Sequence, residues 1–221
     1  MNYIFLEMLS FGYPNKTKLF NKLSWKIPKD EINILIGANG SGKSTLSLLI
    51  LGLLKPCSGM IYLQGKPILD YSLAEIGRRI GYLFQNTSVQ LFSESVNEEI
   101  NFSLLQNPDT PWKKHELLYF FNLEEIATSF PLKLSKGEQQ RLALASICAL
   151  DPPFFLLDEP SAGLDPESTY KLGTLILNLH SKGKGFLILT HDSSFVKLLQ
   201  KFNIWHINKM AINKGRCISK D

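Results

Sequence analysis

Residues Glu31–Ile50 read EINILIGANGSGKSTLSLLI, and two changes of texture within this stretch decide the fold. EINILI is a strand with almost no polar relief at its end. The pattern G-x-x-x-x-G-K-[ST] follows at every fixed position, as Gly37, Ala38, Asn39, Gly40, Ser41, Gly42, Lys43 and Ser44, with Thr45 next. Leu46, Leu49, Ile50 and Leu53 then recur at helical spacing, and Gly52 and Pro56 bracket the helix end. Strand, glycine-rich loop and helix in that order make a phosphate cradle. Gly37, Gly40 and Gly42 let the backbone curl with its N–H groups facing inward. A helix beginning near Lys43 adds unpaired amides and the positive end of its dipole. Lys43 is then placed to bridge the β- and γ-phosphates of a nucleoside triphosphate, and Ser44 to offer a hydroxyl to Mg²⁺.

On the amino-terminal side, IFLEM and LFNKLSWKI alternate as strands around the turn FGYPN. On the carboxyl-terminal side, CSGMIYLQGKPI reads as a hairpin and Ile80–Phe84 as a buried strand. From Asn86 to Leu150 the texture turns helical, with KKHELLYFFNLEEI as one helix and LSKGEQQRLALASICAL as another. Leu142, Ala145, Ser146 and Ala149 share one face of the latter. Strand and helix then alternate. FFLLDE and GFLILT are strands, Tyr170–His180 and Ser194–Lys201 helices, and NIWHI and MAINKGRCI closing strands. The spacing is that of βαβ units, so a largely parallel sheet covered on both faces is expected, with residues 86–150 as an inserted helical lobe.

Composition narrows the function classes. At 44% hydrophobic and 20% charged, the 221 residues can build a packed core. A net charge of +4 is too small to point to nucleic acid. Cys57, Cys148 and Cys217 are far apart and match no metal-ligand spacing. The uncharged run Ser44–Leu54 is well short of the ~20 residues a membrane span needs, so no direct span is expected. The start MNYIFLEML has no basic region and does not read as a signal peptide.

Three further strand ends carry polar chemistry. FFLLDEP, Phe154–Pro160, puts Asp158 at the carboxyl edge of a sheet, where it can hold the Mg²⁺ water shell opposite Ser44. Glu159 can poise a water for in-line attack on the γ-phosphate. The bland alternative, two acids at an ordinary strand exit, loses weight beside a phosphate loop. His191 follows GFLILT, either as a surface or core histidine or as a group reaching the γ-phosphate. Gln85 ends RRIGYLFQ, near enough to the same edge to sense the metal and the γ-phosphate. Tyr13, in FGYP, either stacks on the nucleotide base or packs a turn.

Together these residues resemble the ATP-binding cassette (ABC) family of ATPases. The phosphate loop Gly37–Thr45, the glutamine loop at Gln85, a signature stretch Leu134-Ser135-Lys136-Gly137-Glu138, the acidic motif Asp158-Glu159-Pro160, the D-loop Ser161–Asp165 and the switch histidine His191 stand in family order. The resemblance implies an α/β fold: a P-loop NTPase of the ABC ATPase type, with a RecA-like core, an antiparallel β subdomain and the inserted lobe. The whole of 1–221 would be one such domain, with no appended carboxyl-terminal domain. It implies ATP and Mg²⁺ as ligands, Tyr13 as the adenine-stacking aromatic, and catalytic roles for Lys43, Gln85, Glu159 and His191. It also implies a head-to-tail pair of cassette subunits, identical or paralogous, in which Ser135 and the Gly137 backbone of one subunit meet the γ-phosphate held by the other. Here Lys136 stands where the family signature has its first glycine, and Glu138 where it has glutamine.

A narrower resemblance lies in FQNTSVQLFSESVNEEINF, Phe84–Phe102, which looks like the run found in ATPase subunits of energy-coupling-factor importers for vitamins or cobalt and nickel. It implies transmembrane partner subunits, a groove beside Gln85 that receives them, and a peripheral place on the cytoplasmic face of the membrane. Leu91 and Phe92 would be exposed there, or else simply pack the lobe. Among alternatives, a GTPase needs N-K-x-D, and Asn208-Lys209-Met210-Ala211 lacks the aspartate. A DNA-repair relative needs a long coiled coil that the lobe cannot supply. An ATPase of another ABC transporter, such as an exporter, shares the core motifs and remains an alternative, with a non-transport ABC protein behind it.

Overall fold

The structure, a computed structural model, describes residues 2–15, 17–208 and 211–214. Strands β1 (Asn2–Phe11), β2 (Phe20–Pro28), β4 (Ser58–Leu63) and β5 (Lys66–Pro67) form a four-stranded antiparallel sheet in the order β2-β1-β4-β5. β1 is one long strand and not a short one, because positive φ at Met8 and a register shift between Leu6 and Leu9 bend it without ending it.

Strands β3 (Ile32–Ile36), β6 (Ile80–Leu83), β7 (Phe154–Asp158), β8 (Gly185–Thr190), β9 (Asn203–Asn208) and β10 (Ala211–Lys214) form the second sheet, in the order β10-β9-β3-β8-β7-β6. All its pairs are parallel except β9 with β10. The remainder of the expected closing strand, including Cys217, lies outside the described residues. Alternation between two covered faces explains why runs such as FFLLD are buried throughout. Phe155 and Leu157, with Ile32, Ile34, Phe186 and Ile188, belong to the core on one face. Phe154 and Leu156, with Leu35, Leu187 and Leu189, belong to the core on the other, shared with the antiparallel sheet.

Helices α1 (Lys43–Ile50), α2 (Leu73–Arg79), α3 (Val96–Gln106), α4 (Lys114–Phe120), α5 (Lys136–Leu150), α6 (Pro166–Ser181) and α7 (Ser193–Leu198) complete the framework. α3, α4 and the start of α5 make the helical lobe. Three expected boundaries move. The helix expected from KKHELLYFFNLEEI stops at Phe120, because Asn122 takes a left-handed φ of 51° and the Leu123 N–H donates back to the Leu118 carbonyl at 2.9 Å. α6 starts before Tyr170, at Pro166, where Asp165 caps the helix by accepting from the Ser168 N–H at 2.8 Å. α7 runs from Ser193 to Leu198 instead of reaching Lys201. The helix α2, capped reciprocally by Ser72 and Glu75, was not anticipated.

Candidate nucleotide site

Parallel register brings the chemistry to one edge. Ile36 pairs with Thr190, Asp158 with Leu189, and Leu83 with Leu157. The four adjacent parallel strands β3, β8, β7 and β6 therefore end together, and the segments leaving them carry the phosphate loop, His191, Glu159 and Gln85. This is the ligand edge of an open α/β sheet. A cavity of about 450 Å³ opens there, reaching from Tyr13 past Gly40, Lys43 and Ser44 to Gln85 and Glu159.

The loop has the shape its glycines allow. Gly40 and Gly42 take φ of 77° and 102°, and a Cβ on Gly42 would come within 2.8 Å of Phe20. Lys43 Nζ donates to the Gly37 carbonyl at 2.6 Å and to the Ala38 carbonyl at 3.4 Å. It also forms an ion pair with Glu159 at 3.5 Å, both side chains being buried. The lysine thus closes the cradle on itself, and an entering phosphate would replace these carbonyl contacts with stronger charge-assisted bonds. The buried Ser41 hydroxyl has no partner among the described residues and is a further group that a ligand could satisfy.

Ser44 Oγ donates to Gln85 Oε1 at 3.3 Å. Beside them Asp158 is fully buried, and neither carboxylate oxygen has a hydrogen-bond partner among the described residues. Burial pushes its carboxyl up to about 6. The nearby Ser44 hydroxyl offsets part of that rise, Glu159 adds to it, and Lys43 lowers it. A buried acid with two unused oxygens next to a hydroxyl and an amide oxygen is a donor set that suits a hard divalent cation. No three His, Cys, Asp or Glu side chains cluster as a metal site among the described residues, so the oxygens of a bound phosphate would have to complete the coordination.

Glu159 is the best-held side chain of the site. Its own φ is 51°, an uncommon conformation for a glutamate, fixed by its N–H to the Leu189 carbonyl at 2.8 Å. Oε2 accepts from Thr190 Oγ1 at 2.9 Å and from the His191 N–H at 3.3 Å, and Oε1 contacts His191 Nδ1 at 2.7 Å. The carboxylate can only accept, so Nδ1 carries the hydrogen of that contact. Gln140 donates to the carbonyls of Glu159 and Pro160 at 3.4 and 3.0 Å and braces the turn from α5.

Tyr13 is partly exposed at the cavity mouth, its hydroxyl 3.1 Å from Thr45 Oγ1 and its ring edge-on to Phe11. Ser135 and Gly137 are elsewhere. They start α5 and do not line this cavity. A Cβ on Gly137 would meet the Gly163 carbonyl at 2.7 Å, so the signature stretch packs on the chain's own D-loop. Leu91 is buried, whereas Phe92 is 65% exposed and packs edge-on against Phe102 at 5.0 Å, so the two residues expected to share a fate divide. The sequence reading missed Thr17, Lys18 and Leu19, which line the cavity from the β1–β2 loop. It also missed Thr190 and Asp192. The only local sign of these two was that polar residues flank His191.

A glycine-rich loop between a buried parallel strand and a helix, with an acidic strand end beside it, defines a P-loop nucleotide-binding protein. Residues 20–162 match the ABC transporter family. The chain belongs to that family, and its two sheets and inserted lobe are the ABC ATPase fold. It is 37% identical over 194 residues to the energy-coupling factor transporter ATP-binding protein EcfA of Methanocaldococcus jannaschii, covering 85% of this chain and 70% of that one. An ABC transporter ATP-binding relative from Methanosarcina acetivorans is 39% identical over 194 residues, and the match spans 86% of this chain but 32% of that longer protein. Among solved structures, CbiO1 of Clostridium perfringens, described as part of the ABC transporter complex CbiONQ, superposes with a TM-score of 0.76 at 28% identity, over 97% of this chain and 88% of that one. No helix among the described residues is long and apolar enough to cross a membrane.

Proposed function

We propose that this chain is the ATP-hydrolysing subunit of an energy-coupling-factor type importer for a vitamin or for cobalt or nickel. The observation that carries the reading is the convergence of Lys43, Ser44, Gln85 and Glu159 on one cavity, with Asp158 buried beside Ser44 and Lys43. The EcfA and CbiO1 likenesses support the importer class. In the proposed cycle ATP enters the cavity with its base against Tyr13, and Lys43 leaves the Gly37 carbonyl for the β- and γ-phosphates. The loop amides of Ala38, Asn39, Gly40, Ser41 and Gly42, with Thr45, hold the remaining oxygens. Mg²⁺, held by Ser44, Gln85 and Asp158, would neutralise phosphate charge. Once Lys43 has moved, Glu159 is free to accept a proton from a water placed in line with the γ-phosphate, and His191 orients that water.

A second cassette subunit would complete the site by bringing its own counterparts of Ser135 and Gly137 to the γ-phosphate. Closure of the pair, hydrolysis and reopening would then move transmembrane partners seated on the lobe near Phe92, at the cytoplasmic face of the membrane. Affinity capture of the full chain in mild detergent tests this. Recovery of an energy-coupling transmembrane subunit together with a small substrate-binding membrane protein supports the importer. Recovery of an exporter core instead overturns it.

A further inference from the structure

We propose that Thr190 is a positioning residue for the hydrolytic step, clamping the Glu159 carboxylate in the orientation that faces the γ-phosphate. The inference rests on the reading of Glu159 as the water-orienting base. Thr190 is fully buried at the last position of β8, opposite Ile36, the residue before the phosphate loop. Its hydroxyl donates to Glu159 Oε2 at 2.9 Å and accepts from the Asp192 N–H at 3.0 Å. Both functions of the hydroxyl are therefore used, and the hydrogen is committed to the carboxylate. The only other donor to Oε2 among the described residues is the His191 N–H, longer at 3.3 Å.

The second oxygen, Oε1, is held by His191 Nδ1 and Lys43, and both of those side chains are the ones a nucleotide would recruit. When they turn to phosphate, Oε1 is released and Oε2 remains on Thr190. One fixed oxygen and one freed oxygen is what a base needs: the carboxylate keeps its direction while the other lone pairs become available to water. The clamp is itself braced. Asp192, whose N–H meets Thr190, accepts from Ser161 Oγ at 2.8 Å and caps α7 through the Ser194 and Phe195 N–H groups at 2.9 and 3.2 Å. Ser161 begins the D-loop, so this chain of bonds ties the D-loop to the orientation of Glu159.

The test is steady-state ATP hydrolysis by the full chain in the complex it captures, comparing wild type with Thr190→Val, Thr190→Ser and Glu159→Gln. Equilibrium binding of a fluorescent ATP analogue and thermal unfolding are measured on the same samples. Valine keeps the shape and burial and removes the donor. Loss of one hydrogen bond to a charged group predicts that Thr190→Val lowers kcat roughly ten- to hundred-fold. Analogue affinity and KM should stay within about two-fold, because the clamp acts on the base and not on nucleotide binding. Serine retains the hydroxyl and should restore most of kcat. A wild-type kcat in Thr190→Val overturns the assignment. A Thr190→Ser variant as slow as Thr190→Val also overturns it, because only methyl packing would then matter. Wild-type turnover in Glu159→Gln would refute the base itself and Thr190's role with it, whereas an inactive Glu159→Gln beside a fully active Thr190→Val refutes the clamp alone.

Discussion

Replacing Asp158 by asparagine should make the nucleotide-free chain respond differently to pH, because the fold holds that charge at a loss. The side chain is fully buried, its oxygens have no partner among the described residues, and burial pushes its carboxyl from 3.8 up to about 6. The folded chain therefore binds this proton more tightly than the unfolded chain does. The contribution of Asp158 to stability is fully present below 3.8, where both states are protonated, and is lost as pH rises from there through about 6. With both states ionised, at about pH 7.5, the interval from 3.8 to about 6 corresponds to a penalty of about 3 kcal/mol. At about pH 4.5 only about 1 kcal/mol of it is expressed, since most folded molecules are protonated while most unfolded ones are not. The stability of Asp158→Asn minus that of wild type should thus rise by roughly 2 kcal/mol between about pH 4.5 and 7.5. Carboxylates that do not interact with Asp158 cancel in that difference, and Glu159 is the neighbour that does interact.

Urea unfolding of the two chains at a series of pH values, without nucleotide or Mg²⁺, measures it. A gap that stays constant across the range would refute the claim that burial raises the Asp158 carboxyl. The same experiment with Mg²⁺ and ATP reverses the expectation: wild type gains from ligand binding and the variant gains less, because the charge the cation needs has been removed.

The other outcomes can be stated briefly. Glu159→Gln should lower ATP turnover at least about a hundred-fold while nucleotide affinity is retained, and undiminished steady-state hydrolysis would remove its role as base. Lys43→Ala should weaken ATP about ten- to hundred-fold in an equilibrium binding assay, the value of one charge-assisted contact, and unchanged affinity would contradict its placement. Gly137→Ala should cost about 1–3 kcal/mol in thermal or urea unfolding, since its Cβ would sit 2.7 Å from a backbone oxygen that cannot move without shifting the D-loop.

What the sequence disclosed of this site was whatever repeats a local rule. The phosphate loop needs its glycines within one turn of chain, and FFLLD needs both faces apolar, so each is visible in a short window. The ends of helices were less legible because they turn on single residues. Asn122 stops α4 by adopting a conformation open to few side chains, and Asp165 starts α6 before its apolar face begins. Thr190 was illegible for a different reason. A threonine ending an apolar strand is unremarkable until β7 and β8 are paired, and only the register of Asp158 with Leu189 sets its hydroxyl against Glu159. The cavity wall from Thr17 to Leu19 depends likewise on a loop folding back onto Gly42, a contact without any local signal.

The signature stretch shows why one pattern can serve two purposes. Ser135 and Glu138 form a reciprocal cap on α5: Oγ donates to Glu138 Oε2 at 2.6 Å, the Ser135 N–H reaches the same oxygen at 2.8 Å, and the Glu138 N–H returns to Oγ at 3.4 Å. These Ser135 contacts hold the Glu138 carboxyl below the usual range. Glu138 thus has a role in the folding of this chain, one that the family's glutamine would fill as well, as Gly137 has beside the Gly163 carbonyl. Lys136, exposed at the first position of the helix, has no such account within the chain. In the proposed dimer Ser135 would turn to the phosphate held by the partner by giving up its hydroxyl's two bonds with Glu138, leaving the rest of α5, buried along Leu142, Ala145 and Ala149, undisturbed. The Ser135 N–H keeps its bond to Glu138 Oε2, so what engagement gives up is the two contacts of the Ser135 hydroxyl.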